Sequence, residues 1–232
     1  MIEPKIIYED NHIIVVIKPQ NISVQADSSG DLDMLSIIKE FIKVRDKKPG
    51  NVYLGLVHRL DRPTGGVMVF AKTSKSASRL SKELKAKQFK KKYLCVVLGR
   101  PKLIENRLTT YLKKDEKNNI VYIAPQTEEG SKEAILDYSV LSTKNKLSLL
   151  EVSLITGRSH QIRVQMAKQL NTPIYADIKY GDEEHIGNLA LWAYQLEFVH
   201  PVTKEIMKFR VAPDYKNIAF KMFASEIEKL LI

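Results

Sequence analysis

The chain has 232 residues, 44% of them hydrophobic, enough to bury a substantial core and too many for a disordered segment. Lys and Arg number 37 against 27 Asp and Glu; the formal net charge of +10 favours a polyanionic partner, nucleic acid ahead of an anionic membrane surface. Cys95 is the only cysteine, which excludes an intrachain disulfide and a cysteine-based zinc cluster and fits a reducing cytosol. The first eight residues carry no leader pattern and the early apolar run 13–17 is far too short to span a bilayer, so a cytoplasmic chain without membrane anchorage is expected.

Residues 6–8 and 13–17 are β-branched runs separated by the turn-prone Glu9-Asp10-Asn11, which predicts two tightly joined strands, the second ended by Lys18-Pro19. Leu35, Ile38, Phe41 and Ile42 recur at helical spacing behind Asp31 and Asp33, so a helix is predicted over 34–44. Apolar runs at 53–57 and 67–71 flank the polar segment 58–66, a loop held by two strands. Ser74 is placed to cap a helix reaching about 88, with Ala77, Leu80 and Leu84 inward and Lys75, Lys82, Lys85 and Lys87 in water. Lys90, Lys91 and Lys92 are expected to extend that basic surface. Strands then follow at 93–98, 107–111, 120–124, 134–141 and 148–154. Ser159 is placed to cap a helix to 170 bearing Ile162, Met166 and Leu170 on one face, and a last helix is predicted near 219–231. No repeat or linker interrupts the pattern. It predicts a single α+β catalytic domain over 1–232, a mixed, largely antiparallel sheet flanked by helices and loops.

The segment His58-Arg59-Leu60-Asp61-Arg62-Pro63-Thr64-Gly65-Gly66 carries the chemistry-bearing groups. A carboxylate sits between two arginines, Pro63 fixes one backbone angle, and the paired glycines allow another chain or ligand to approach closely. Composition alone equally permits an ordinary surface loop with an Asp–Arg pair.

Four ordered stretches decide between these: IIYEDNHIIVVIKPQNISVQAD from residue 6, HRLDRPTGGVMVFAKT from 58, KKYLCVVLG from 91 and LITGRSHQIRVQMAKQLNTPIYADIKYG from 154. They resemble the opening strand pair, catalytic signature, Lys-x-Tyr strand and His-Gln-Ile-Arg block of the RluA-type pseudouridine synthases, a family that isomerises uridine in RNA without metal or organic cofactor. The resemblance implies that Asp61 is the catalytic aspartate, that Tyr93 stacks on the target base and that Arg163 pairs with the aspartate. It also implies that Arg59 helps displace the base and that His58, Thr64, Arg158, His160 and Gln161 complete the substrate-binding set. Rejoining C1′ of the ribose to C5 asks for a carboxylate, acting either by attack at C1′ or by removal of the 2′ proton. A uracil in structured RNA must first leave its stack, and an aromatic face with a guanidinium replaces the lost stacking. The implied partner is tRNA or ribosomal RNA, met by a monomer. The competing expectation is a non-catalytic RNA-binding protein or RNA chaperone on the same scaffold, which would bind RNA salt-dependently and form no pseudouridine.

The chain departs from the family pattern at Gly65, at Ala176, where Gly often precedes the aspartate now numbered Asp177, and at Gln20-Asn21 after the Lys-Pro pair. It also begins almost directly with the catalytic pattern, so no N-terminal S4-like RNA-binding domain is expected. The run from Gly66 to Thr73 falls one glycine short of a P-loop, and its β-type interior does not cradle phosphates with successive amides. His12, His58, His160, His185 and His200 lack paired ligand spacing, which removes a zinc deaminase; His58 and His160 are expected to shape the site by hydrogen bonding.

Overall fold

A computed structural model describes residues 3–27 and 30–231. The chain divides into two compact units, Met1–Lys90 with Ala193–Val211, and Lys91–Trp192 with Ala212–Ile232.

In the first unit β1 (Lys5–Glu9) turns into β2 (Ile13–Lys18) through Asp10, whose carboxylate accepts the N–H groups of His12 and Ile13 at 2.7 and 2.8 Å. β2 lies antiparallel to β4 (Gly65–Ala71), and the short β3 (Gly55–Leu56) pairs with the Phe70–Ala71 end of β4. Ile13 to Val16 and every residue of β4 are buried, which is why both read as continuous apolar runs rather than alternating ones. On its other side β4 has β10 (Leu191–Val199), itself antiparallel to β11 (Ile206–Arg210).

Helix α1 (Met34–Arg45) starts at Asp33, whose carboxylate accepts from Ser36 N–H, and buries Met34, Ile37, Ile38 and Ile42. Helix α2 (Ser74–Lys85) is capped by Thr73 rather than by Ser74: the Thr73 hydroxyl, one residue earlier, accepts the Ser76 N–H at 3.1 Å.

The second unit holds an antiparallel sheet with strand order β5 (Lys90–Leu98), β9 (Leu147–Leu154), β8 (Lys132–Lys144), β6 (Glu105–Asp115) and β7 (Ile120–Ile123). Leu94, Val96, Leu136, Leu149, Leu150 and Val152 are fully buried in it. The C-terminal helix expected near 219–231 is two helices, α4 (Ile218–Met222) and α5 (Ala224–Leu231), and the Lys144 ammonium reaches Glu226 at 2.6 Å and lies 5.4 Å from the centre of the Phe223 ring.

The helix expected from Ser159 to 170 is corrected. α3 runs only over Gln161–Val164 and continues as a π-helical turn, Gln165–Gln169. His160, at its start, has a left-handed backbone (φ 50°) and no side chain caps the helix from that position. The side chain of Gln161 works instead from inside the first turn: its carbonyl oxygen accepts the Arg158 N–H at 3.0 Å and the Thr156 hydroxyl at 2.8 Å. The wider turn follows from Gln165, fully buried, whose amide reaches the Leu108 and Ala134 carbonyls of two strands, and whose own carbonyl accepts from Leu170 five residues on.

Candidate active site

The loop bearing Asp61 is fastened to the end of β2. Lys18, with no surface exposed, donates from Nζ to the carbonyls of Pro19 (2.9 Å) and Arg62 (3.0 Å). Asn21 N–H donates to the same Arg62 carbonyl at 2.8 Å, and the Gln20 amide donates to the Pro63 carbonyl at 2.9 Å. Asn21 adopts φ 64°, so it supplies the left-handed position that a glycine commonly fills, and Asn tolerates it better than most side chains. Thr64 N–H closes a turn on the Asp61 carbonyl at 3.0 Å.

Electrostatics follow from this fastening. Burial pushes the Lys18 ammonium down from the ordinary 10.5 to about 7; the Asp61 carboxylate pulls it up and the Arg62 charge pulls it down. Asp61 is half-buried and Arg59 exposed, while exposed Arg62 pairs with Asp31. Thr64 is buried, and its hydroxyl has no hydrogen-bond partner among the described residues. His58 Nε2 accepts the Val69 N–H of β4 at 3.2 Å, and its ring lies 6.2 Å from that of Phe89. The close approach expected at the paired glycines is made by the protein itself: Gly66 has φ 130°, and a Cβ there would sit inside the Ala193 backbone of β10.

The second unit carries the remaining candidates. Tyr93 is buried on β5 opposite Val152. Lys91 lies two residues before it and so projects from the same face of the strand. Its Nζ is 3.4 Å from where a Cβ on Gly157 would stand, and burial lowers its basicity. Of the basic run expected to extend the surface here, Lys90, in the first unit, is exposed and pairs with Glu197 at 2.6 Å, Lys91 is part-buried, and part-buried Lys92 pairs with Glu151 at 2.7 Å.

Arg163 is buried on α3, its guanidinium bound edge-on by the Asp177 carboxylate through Nε at 2.8 Å and Nη2 at 2.6 Å. The Tyr180 ring lies 5.0 Å from its Cζ. His160 Nδ1 meets the Tyr180 hydroxyl at 2.6 Å. Gln161 is buried with its amide bonded to Ile135, Thr156 and Arg158, and Arg158 Nε donates to the Glu133 carbonyl at 2.8 Å.

Sequence reading missed Lys18, Lys91, Asp177 and Tyr180 as members of these clusters. Asp177 and Tyr180 stood in the last matched block; a buried carboxylate needs a cation, and the arginine 14 residues earlier was the available signal.

The architecture matches solved pseudouridylate synthase domains. It superposes on the human RNA pseudouridylate synthase domain containing 4 with a TM-score of 0.77 at 22% identity, covering 97% of this chain and 93% of that one. Residues 12–168 match the RNA pseudouridylate synthase family model. A ribosomal large subunit pseudouridine synthase C of Buchnera aphidicola subsp. Baizongia pistaciae is 35% identical over 222 residues, 90% of this chain and 67% of the relative. The protein of the same name from Haemophilus influenzae is 29% identical over 223 residues, 93% and 67% respectively. The chain belongs to the RNA pseudouridylate synthase family. It is an isomerase that converts uridine to pseudouridine in RNA.

Proposed function

We propose that the substrate is structured RNA of the ribosome and that Asp61 is the essential carboxylate, with Tyr93 against the displaced base and Arg163 offsetting developing charge. The N1–C1′ bond breaks, C5 bonds to C1′, C5 gives up its proton and N1 gains one, so the step is redox-neutral and needs no co-reactant. The relatives named for the ribosomal large subunit support that substrate over tRNA. Arg59, exposed beside Asp61, takes the stacking place of the base, and the unpartnered Thr64 hydroxyl, with His58, Arg158, His160 and Gln161, borders the bound nucleotide. No helix among the described residues is long and apolar enough to cross a membrane, and the reading takes the enzyme as a cytoplasmic monomer meeting RNA in solution.

The observation that carries the role of Asp61 is the buried ammonium of Lys18, tied to the neighbouring Arg62 carbonyl and attracted by the Asp61 charge. The Lys18, Asn21 and Gln20 hydrogen bonds to the Arg62 and Pro63 carbonyls fasten the loop that bears the carboxylate, as either attack on C1′ or removal of the 2′ proton requires. Tritium release from ribosomal RNA carrying 5-tritiated uridine tests it. Asp61→Asn keeps the side-chain volume and is expected to cut the rate by on the order of 100- to 10,000-fold at unchanged melting temperature. Release at the wild-type rate would remove Asp61 from the chemistry, and mapping the pseudouridines formed separates ribosomal RNA from tRNA.

A further inference from the structure

We propose that Asp177 and Tyr180 are positioning residues for uridine isomerisation, acting through Arg163; the inference rests on the assignment of Arg163 given above. The Asp177 carbonyl accepts the N–H groups of Tyr180, Gly181 and Asp182 at 3.0–3.1 Å, a tight turn that brings the two side chains to one guanidinium. Asp177 takes the Nε and Nη2 edge with two parallel bonds, and both partners are almost wholly buried, their side chains 0% and 7% exposed. A fork of this kind fixes the plane of the guanidinium as well as its position. Tyr180 lies against the guanidinium, 5.0 Å from ring centre to Cζ, and limits motion in the remaining direction. Nη1 lies outside the fork, and these two residues restrict the direction in which Arg163 presents it.

The hydroxyl of Tyr180 extends the arrangement. It accepts the Val121 N–H of β7 at 2.9 Å and shares a second hydrogen bond with His160 Nδ1 at 2.6 Å. His160 stands three residues before Arg163, at the left-handed residue where α3 begins. One phenol therefore joins the edge of the β6–β7 hairpin to the start of the helix that carries the guanidinium. Lys179 adds a second tie to the hairpin, donating to the Asn119 carbonyl at 3.0 Å. None of this is needed for core packing alone: a phenylalanine at 180 would fill the same space, and an apolar pair at 163 and 177 would bury more cheaply than two charges.

Steady-state kinetics of tritium release, with RNA affinity by filter binding and melting temperature, separates positioning from folding. Tyr180→Phe keeps the ring and is expected to lower kcat about tenfold with KM and RNA affinity within twofold. Asp177→Asn, which leaves the guanidinium without its fork, is expected to lower kcat about 100-fold with KM again little changed, the size of loss that follows a small misplacement of a reacting group. If Asp177→Asn does not fold, Tyr180→Phe decides alone. A kcat within twofold of wild type, or a KM that rises as kcat falls, overturns the inference. Asp61→Asn run alongside keeps the two claims apart: an inactive Asp61→Asn with unimpaired Tyr180→Phe overturns the positioning role only, whereas an active Asp61→Asn overturns the site assignment.

Discussion

Lys18 carries an ammonium with no exposed surface, held by two backbone carbonyls and faced by Asp61. Its folded-state pKa of about 7 lies below the ordinary 10.5, and the sign of its contribution follows. Below pH 7 the group is protonated in folded and unfolded chains alike, and the cost of burying the charge is present in full. Between about 7 and 10.5 the unfolded chain holds a proton that the folded chain has lost, so stability rises with pH, by up to about 1.4 kcal/mol per unit. Urea unfolding of wild type and Lys18→Met between pH 6 and 9 measures it. The wild-type minus Met difference should grow with pH, and parallel curves would show that this lysine is not the titrating group. The lysine type was visible in the sequence at the end of an apolar strand. Its partner was not, because the carbonyl that receives it lies 44 residues away and backbone acceptors leave no mark on residue identity. Asp177 shows the same limit: a carboxylate and an arginine stand 14 residues apart along the chain, and only folding of the intervening turn makes them a pair.

Elements whose signal is local were read well, and elements whose signal depends on tertiary neighbours were not. The five strands from β5 to β9 were legible because β-branched and aromatic residues cluster between turn residues; four run longer than predicted and β7 ends one residue earlier. β10 and β11 were not read as strands; β10 is buried along almost its whole length, so its period-two alternation is lost. The π-helical turn was illegible for another reason, since Gln165 trades regular helix geometry for bonds to two strands that sequence spacing does not reveal. Helix α2 was found but its cap was displaced by one residue, as two adjacent hydroxyls offer equivalent local signals. The Thr73 hydroxyl accepts the Ser76 N–H, so Thr73→Ala should cost about 1 kcal/mol, a melting temperature lower by roughly 3 °C. Exposed Ser74→Ala should change it by less than about 1 °C. The reverse order in thermal denaturation followed by circular dichroism would assign the cap to Ser74.

The net charge of +10 is unevenly used. Lys72, Lys92, Lys113 and Lys144 lie against Glu9, Glu151, Glu128 and Glu226 at 2.6–3.0 Å, so much of their field is cancelled nearby. Lys75, Lys82, Lys85 and Lys87, on and just beyond α2, are exposed and have no ion-pair partner among the described residues. An unneutralised row of this kind attracts a polyanion at long range and releases counterions when phosphates approach, whereas paired lysines have little to gain. RNA affinity should accordingly fall as salt rises, and converting the four lysines to Gln should flatten the plot of log Kd against log salt by about 0.7–0.9 for each phosphate that is no longer neutralised. At saturating RNA the quadruple variant should turn over at the wild-type rate, because the exposed face of α2 carries none of the groups assigned to the chemistry. An unchanged salt slope would move the phosphate-tracking surface off α2, and a fall in kcat at saturation would mean that these lysines do more than gather the substrate.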